Sequence, residues 1–421
     1  MSRRFAKLGR DVPVRSPWLH SPRLHLVLYA MLLVATPFLL LRGFLQSAIG
    51  DLGRSSLPLA GVQIPLVPVI GLIALGVLLI RFRAYLTPLR IAAGVIAVLM
   101  NALAQRYIDY YFDHKFYDLQ QNWHYGAYAI FAFMAYRDLA PRGVRPARII
   151  LITYVLAICF STTDEAFQLH MSGRAFEVND IAKDGWGALI GMVVLYLGGT
   201  EPATIREHCR HMLHRRLRDY FANPPSLLFA LIVFNFFFLY FAALHTNLEY
   251  WHIILLLALG AFVVTAAAVH FCQYRPFRYG LLTILALGIA VQSYFYVVHR
   301  HDDILYNRYG LTVYKGMPIV YFDVLIFPDG SFRLVDKKHW FSAREQGFFL
   351  RFKPDILLIG SGSEGLGGRG FPEQSASQFI YNPYLQRGTQ VIIEKTPDAC
   401  ELFNRLKREH KNVLFVLHNT C

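Results

Sequence analysis

The chain has 421 residues, of which 55% are hydrophobic and only 17% are charged. Soluble domains carry about 25% charged residues, so this composition excludes an ordinary soluble protein. The net charge of +14 belongs mainly to residues 1–301, with 27 Lys and Arg against 15 Asp and Glu, whereas residues 302–421 hold 15 against 13. The arginines lie between apolar runs, where they orient helices in a bilayer, and we therefore expect no nucleic-acid partner. The cysteines show no C-x-x-C pair and no metal-ligand spacing, so a structural zinc site is not expected. We expect no other metal and no cofactor.

Apolar segments follow one another through the first 301 residues. Each approaches the roughly 20 residues needed to cross a bilayer core. They lie at 25–41, 64–80, 91–103, 124–136, 149–165, 178–197, 227–244, 253–271 and 279–298. The sequence therefore predicts a mainly α fold, a polytopic transmembrane bundle of about nine helices. We expect the first apolar run to be retained as a helix, since no small-residue cleavage site follows it.

The distribution of basic residues predicts the orientation of this bundle. With the N-terminus in the cytoplasm, the loops on the inner side carry 20 basic residues and the loops on the outer side carry 5. This bias is typical of bacterial membrane proteins. The sequence thus predicts a multi-pass inner-membrane protein with its C-terminal domain outside the cell membrane.

Polar side chains gather at the outer ends of the fourth to sixth predicted helices. We assign acid–base roles to His124, Asp164, Glu165, Asp180 and Asp184, and ligand-binding roles to Gln168, Arg174 and Lys183. Ionisable groups in membrane helices cost at least about 2.5 kcal/mol each on insertion scales, which makes them functional candidates. The alternative is that they are interfacial anchors and salt bridges.

The spacing of this set follows the helical period. Asp164 and Gln168 are four residues apart, and Asp180, Asp184 and Gly187 fall on one face that continues to Gly191. This arrangement places carboxylates near the membrane surface and glycines deeper, where a neighbouring helix can approach closely.

These residues resemble the VanZ-like family, whose name comes from a protein linked to glycopeptide (teicoplanin) resistance. The matching residues are His124, Asp164, Glu165, Gln168, Arg174, Asp180, Gly187 and Gly191. The chain has Gln120-Gln121 where the family often has Asp-Lys, and Asp184 where it tends to have Asn. The resemblance covers about 91–198 and implies a cell-envelope membrane protein without defining its reaction.

The periodicity changes after residue 302 and predicts a small α/β domain. Strands are expected at 319–327, 356–360, 391–394 and 413–417, with helices at 342–352 and 396–410. Ser342 and Thr396 are the predicted helix caps. The loop that begins Ser361-Gly362-Ser363 is either an anion cradle or a tight turn at the end of a strand.

Residues 302–421 resemble the MTH-type domain of the mitochondrial complex I assembly factor three and of stand-alone archaeal proteins. The matching stretches are 321–329, 338–340, 354–363, 396–400 with Asn404, and 417–421. This resemblance implies a fold and not an activity.

Three function classes follow from these observations. The first is a protein that binds or acts on a lipid-linked envelope component, or a glycopeptide-related ligand, through the outer polar residues. The second is a scaffold or assembly factor whose C-terminal domain docks a protein partner. A proton-coupled transporter is less favoured, because the charges cluster at one membrane face and not at the midplane. Membrane lipids are expected partners in each case.

Overall fold

The computed structural model describes residues 21–36, 42–59, 62–106, 119–171, 176–245, 248–371 and 378–420. Helices make up the first three quarters of the described chain. They are α1 (Pro22–Ala35), α2 (Arg42–Arg54), α3 (Leu66–Arg81), α4 (Pro88–Arg106), α5 (Leu119–Leu139), α6 (Pro146–Gln168), α7 (Val178–Gly199), α8 (Pro202–Arg210), α9 (Leu217–Tyr220), α10 (Pro224–Leu244), α11 (Trp251–Phe271) and α12 (Arg275–His299). A hairpin of β1 (Ser56–Leu59) and β2 (Val62–Pro65) precedes α3.

Six of the described helices are long and apolar enough to cross a membrane: α4, α6, α7, α10, α11 and α12. The apolar helices α1 and α3 are shorter, and α5 is long but less apolar. Together these nine coincide with the nine predicted segments, although residues 37–41 of the first lie outside the described residues. Side chains such as Leu256 and Ile284 are exposed, as expected for surfaces that face lipid. The chain is thus a multi-pass membrane protein.

The chain divides into two compact units, of which the first comprises Met1–Asn101, Tyr117–Phe176 and Asp180–Ile232. In this unit α1, α5 and α6 pack together, and the Tyr29 hydroxyl donates to the Ala127 carbonyl oxygen at 2.9 Å. Helix α7 is the most buried of the candidate spans, because 78% of its most apolar 18-residue stretch is buried. It lies so close to α5 that a Cβ on Gly191 would be 2.8 Å from the Ala129 carbonyl oxygen. Glycine makes this close contact possible.

The second unit comprises Ala102–Phe116, Glu177–Asn179 and Val233–Cys421, and it contains the α/β domain. The strands are β3 (Ile304–Arg308), β4 (Leu311–Tyr314), β5 (Met317–Val320), β6 (Asp323–Ile326), β7 (Phe332–Val335), β8 (Ile356–Gly360), β9 (Gln378–Asn382), β10 (Arg387–Glu394) and β11 (Val413–Leu417). Helices α13 (Ala343–Leu350) and α14 (Thr396–Arg408) complete the domain. The main sheet has the order β7-β6-β11-β8-β10-β9, and β3-β4-β5 form a second, antiparallel sheet.

This architecture confirms the predicted fold class, a helical membrane part with a small α/β domain. The single strand predicted at 319–327 was wrong. It is two strands in two different sheets, and Tyr321 between them has a φ of 71°, which ends the first strand. Strands β3, β4 and β9 were not predicted, and β10 begins four residues earlier than expected.

The predicted helix caps had different outcomes. Ser342 caps α13 as predicted, in a capping box with Glu345. Thr396 does not cap α14, because Lys395 occupies the cap position. The Thr396 hydroxyl donates instead to the His418 carbonyl oxygen at 2.7 Å.

The α/β domain packs directly on the membrane helices of its own unit. The Lys337 amide donates to the carbonyl oxygen of Leu244, the last residue of α10, at 3.1 Å. The Phe241 and Phe322 rings stack with centroids 6.1 Å apart. Gln292 of α12 donates to the Gly316 carbonyl oxygen at 3.0 Å. The domain is therefore held against the ends of two helices by backbone, side-chain and aromatic contacts.

Candidate functional site

The imidazole of His124 lies between two carboxylates in the first unit. Its Nδ1 donates to Asp184 Oδ1 at 2.8 Å, and its Nε2 lies 3.7 Å from Asp180 Oδ2. Helix α5 supplies the histidine and the first two turns of α7 supply the aspartates. Gly187 allows the two helices to come this close, because it has no side chain. A Cβ at this position would lie 3.0 Å from the His124 carbonyl oxygen.

Each of these carboxylates has a further partner. The Ser161 hydroxyl of α6 donates to Asp184 Oδ2 at 2.6 Å, and Ser161 is fully buried. The Lys183 ammonium donates to Asp180 Oδ1 at 2.7 Å, one helical turn away. Lys183 is therefore an ion-pair partner of Asp180 in this structure.

A second group of polar side chains occupies the end of α6. The Gln168 amide donates to Glu165 Oε1 at 2.9 Å and to Asp164 Oδ2 at 3.3 Å. The predicted shared face of Asp164 and Gln168 is thus present. Asp164 Oδ1 is buried without a hydrogen-bond partner among the described residues. Asp164 also lies within electrostatic range of Asp184 and His124, so the two groups form one polar layer, which we call the intramembrane cluster.

The intramembrane cluster has an excess of negative charge. It contains four carboxylates, and its described cations are Lys183 and, when protonated, His124. The amino end of α7 stabilises Asp180, which lies in its first turn. Asp164 and Glu165 lie at the carboxyl end of α6, where the helix dipole disfavours negative charge. A proton, an amine or another cation would therefore stabilise the cluster.

Sequence reasoning named seven of these residues and missed Ser161. Ser161 lies four residues before Glu165, so the same helical spacing that linked Asp164 to Gln168 would have included it. The eighth predicted residue, Arg174, lies outside the described residues. Among the described residues, no group of three or more His, Cys, Asp or Glu side chains is placed to hold a metal ion.

The α/β domain contains a separate buried cluster of charged side chains, Asp323, Lys337 and His418, which we call the domain cluster. His418 Nδ1 donates to Asp323 Oδ2 at 2.6 Å. Asp323 Oδ1 accepts the Asn419 amide at 2.9 Å and faces Lys337 Nζ at 3.4 Å. Burial would raise the pKa of Asp323, but His418, Lys337 and the Asn419 amide together hold this pKa below its ordinary value. Sequence reasoning gave none of the three a functional role.

The glycine-rich loop after β8 uses its polar groups within its own chain. The Gly362 amide donates to the Thr396 hydroxyl at 2.9 Å, and both the amide and the hydroxyl of Ser361 donate to the Glu394 carbonyl oxygen at 2.8 Å. Gly362 has a φ of 89°, which glycine adopts without strain. These contacts favour the tight turn over the anion cradle.

Comparisons with known proteins agree with one of the two resemblances. Residues 26–199 match the family model described as VanZ/LLP1. This match confirms the VanZ-like part of the prediction and extends it to the start of the bundle. The matched residues make up less than half of the chain. Among curated proteins, none matches this chain.

Two solved structures resemble a smaller part of the chain. A protein titled MT938 is 21% identical, with 28% of this chain and 98% of that chain covered and a TM-score of 0.23. A conserved hypothetical protein, PH1505 from Pyrococcus horikoshii OT3, is 23% identical, with 28% and 99% covered and a TM-score of 0.22. Likenesses this weak carry no argument. The α/β domain is present, and its MTH-type assignment stays a prediction.

Proposed function

We propose that the intramembrane cluster is a proton-transfer site for a lipid-linked component of the bacterial cell envelope. The observation that supports this proposal best is the position of His124 between Asp184 and Asp180. An imidazole oriented through Nδ1 by a carboxylate leaves Nε2 to accept or return a proton, which is the arrangement of a general acid–base catalyst.

In this proposal the residues have distinct roles. Asp184, held by the Ser161 hydroxyl, orients the imidazole. His124 takes a proton from water or from a hydroxyl of the lipid headgroup and returns it to the leaving group in a hydrolytic or transfer reaction. Asp180 is less buried than Asp184, with 18% of its side chain exposed against 5%, and it faces the incoming group.

The charge of the cluster constrains the ligand. Because carboxylates outnumber cations, the site favours a headgroup that carries an amine or donates hydrogen bonds. Gln168 and Lys183 would contact polar atoms of the headgroup, and Arg174 would pair with its phosphate. Asp164 and Glu165, each of which accepts a hydrogen bond from Gln168, would act as further acid–base groups. A glycopeptide-related ligand, which also combines amines and hydroxyls, belongs to the same chemical class.

A second candidate function is a membrane scaffold or assembly factor. The contacts of Lys337 with Leu244, and of Phe322 with Phe241, support it, because they fix the α/β domain on its helices for a protein partner. In this reading the intramembrane cluster stabilises helix packing.

Mass spectrometry of lipids can separate the two functions. The full-length protein in nanodiscs is incubated with an extract of bacterial envelope lipids, and the lipids are compared before and after incubation. We expect one lipid species to be converted by the wild type and not by His124→Gln, nor by the double variant Asp164→Asn, Glu165→Gln. Glu401→Gln, which changes an exposed carboxylate of the α/β domain, is the matched control and should convert the lipid normally.

Two other results would count against the proposed catalysis or against ligand binding. A lipid that co-purifies with the wild type and is lost in both variants, without conversion, favours binding without catalysis. If the variants and the wild type give the same lipid profile and the same bound lipids, the intramembrane cluster has no ligand, and the scaffold remains.

A further inference from the structure

The segment of residues 201–223 connects two candidate membrane spans, α7 and α10. It contains only the short helices α8 and α9, of nine and four residues, which are far below the length needed to cross a bilayer. A connection between two spans that does not itself cross the membrane lies at the membrane surface. The segment therefore faces lipid headgroups, whichever side of the membrane it occupies.

Hydrogen bonds hold this segment close to the helix ends. The Tyr196 hydroxyl of α7 bonds to His208 Nδ1 at 2.8 Å. The Ser226 hydroxyl of α10 donates to the Met212 carbonyl oxygen at 2.9 Å, and Asn223 Nδ2 donates to the His208 carbonyl oxygen at 3.1 Å. The backbone is thus fixed at several points and cannot swing away from the bilayer.

The side chains that remain exposed are basic and apolar. Between Glu207 and Asp219 the chain has four arginines and three histidines and no acidic residue. The exposed arginines are Arg210, Arg215, Arg216 and Arg218. Arg218 Nε lies 3.5 Å from Oδ1 of its half-exposed neighbour Asp219. Leu217 and Phe221 expose 70% and 62% of their surfaces beside these arginines. We call residues 208–221 the basic connector.

We propose that the basic connector binds the phosphate groups of anionic phospholipids, with Leu217 and Phe221 inserted among the acyl chains. Guanidinium groups pair with phosphate through two parallel hydrogen bonds, and apolar side chains next to them enter the interfacial region. Anionic phospholipid is the occupant that this surface fits, because it supplies negative charge and an apolar phase at the same place. This inference does not depend on the proposed reaction of the intramembrane cluster.

The test measures binding of phosphatidylglycerol to the full-length protein in a neutral detergent. The quadruple variant Arg210→Gln, Arg215→Gln, Arg216→Gln, Arg218→Gln is compared with a control that loses the same charge from the α/β domain. The control is Arg308→Gln, Arg351→Gln, Arg405→Gln, Arg408→Gln, at four exposed positions. We expect the apparent affinity for phosphatidylglycerol to fall by at least about tenfold in the first variant and to stay within about twofold in the control. Phosphatidylcholine should bind equally weakly to all three proteins.

Two further measurements keep the result interpretable if the quadruple variant fails to insert into the membrane. Raising the salt from about 50 mM to about 500 mM should weaken phosphatidylglycerol binding to the wild type, because it shortens the range of the electrostatic attraction. Leu217→Gln, Phe221→Gln keeps every charge and should also bind more weakly. Equal phosphatidylglycerol affinity in the wild type and the quadruple variant overturns the proposal, as does wild-type binding that is insensitive to salt. Equal losses in the quadruple variant and its control would assign the binding to net charge and overturn it too.

Discussion

Each of the two units contains a histidine that donates through Nδ1 to a buried aspartate, yet the surroundings of the two pairs differ. In the domain cluster, Asp323 accepts from His418 and the Asn419 amide and faces the ammonium of Lys337. In the intramembrane cluster, Asp184 and its three neighbouring carboxylates outnumber the cations, and Asp164 Oδ1 has no hydrogen-bond partner among the described residues.

This difference indicates that buried charge stabilises the fold in one cluster and is available for a proton or a ligand in the other. A carboxylate surrounded by donors of its own chain stabilises the fold and has little capacity left for a ligand. In the domain cluster His418 Nε2 has no hydrogen-bond partner within the part of the chain that the structure describes, and Gly367 covers it, since a Cβ added there would lie 2.9 Å from it. A group with surplus charge and an unpaired oxygen can gain from a proton or a ligand. We therefore expect substitutions in the domain cluster to cost stability, and substitutions in the intramembrane cluster to cost function.

The largest effect is expected for Asp323→Asn. This change leaves the buried ammonium of Lys337 without its counter-charge, and breaking a buried ion pair in this way costs about 3–5 kcal/mol of unfolding free energy. Hydrogen exchange of the β6 and β11 amides in the full-length protein measures the loss. The control is Asp355→Asn, which removes an exposed ion pair with Arg387 and should cost less than about 1 kcal/mol. Equal protection in the wild type and Asp323→Asn would show that the domain cluster does not stabilise the fold.

A smaller effect is expected where α7 packs on α5. In Gly191→Ala the new methyl group would lie 2.8 Å from the Ala129 carbonyl oxygen, so the helices must separate. Such overpacking costs about 1–3 kcal/mol, and it would also pull Asp184 from His124. Gly126→Ala on α5 adds the same methyl group where nothing lies within 4 Å. Thermal unfolding in detergent should show a lower midpoint for Gly191→Ala alone, and a lower midpoint for both variants would contradict this account of the packing.

Mildly acidic pH is expected to change the stability of the α/β domain less than either of these substitutions does. The folded state lowers the pKa of Asp323 below its ordinary value of 3.8, because His418, Lys337 and the Asn419 amide outweigh its burial. A lowered pKa means that the stabilisation is present above the ordinary value and is lost as the pH falls through the folded value. Hydrogen exchange of β11 should therefore show constant protection from neutral pH to about pH 4 and a decline below it. In Asp323→Asn this part of the decline should be absent.

The features that sequence reasoning predicted correctly depend on local signals. Apolar length located the helices, and the capping pattern at Ser342 located the start of α13, since both are encoded by neighbouring residues. The strand at 319–327 was predicted as one because Tyr321 is a common strand residue, and nothing nearby indicates its φ of 71°. Tyr321 also stacks on His245, a contact between residues far apart in the sequence that no local pattern indicates.

The intramembrane cluster was partly predictable for the same reason. Spacing placed Asp180, Asp184 and the glycines on one face of α7, and the structure puts that face against α5. His124 and Asp184 are 60 positions apart, and the predicted topology placed both at the outer ends of their helices without predicting the contact between them. The domain cluster was not predicted because Asp323 and His418 are 95 positions apart. Folding brings them together, since Asp323 begins β6, and His418 follows β11, which pairs with β6.

The smallest stability effect is expected for Asp184→Asn, and it contrasts most directly with Asp323→Asn. The amide oxygen of an asparagine at this position can still accept the Ser161 hydroxyl, and its NH₂ group can donate to His124 Nδ1 in the other tautomer. All three groups keep a partner, and one buried negative charge disappears from a site that already has too many. We therefore expect the unfolding free energy to change by less than about 1 kcal/mol.

Proton transfer should nevertheless be lost in this variant. The changed tautomer puts the proton on Nε2, so the neutral imidazole can no longer accept a proton there, and the carboxylate that would stabilise the imidazolium is gone. The lipid conversion expected of the wild type should thus disappear while the melting temperature stays close to the wild-type value. A large loss of stability in Asp184→Asn, comparable with that of Asp323→Asn, would show instead that both histidine–aspartate pairs serve the fold, and the contrast between the two units would fail.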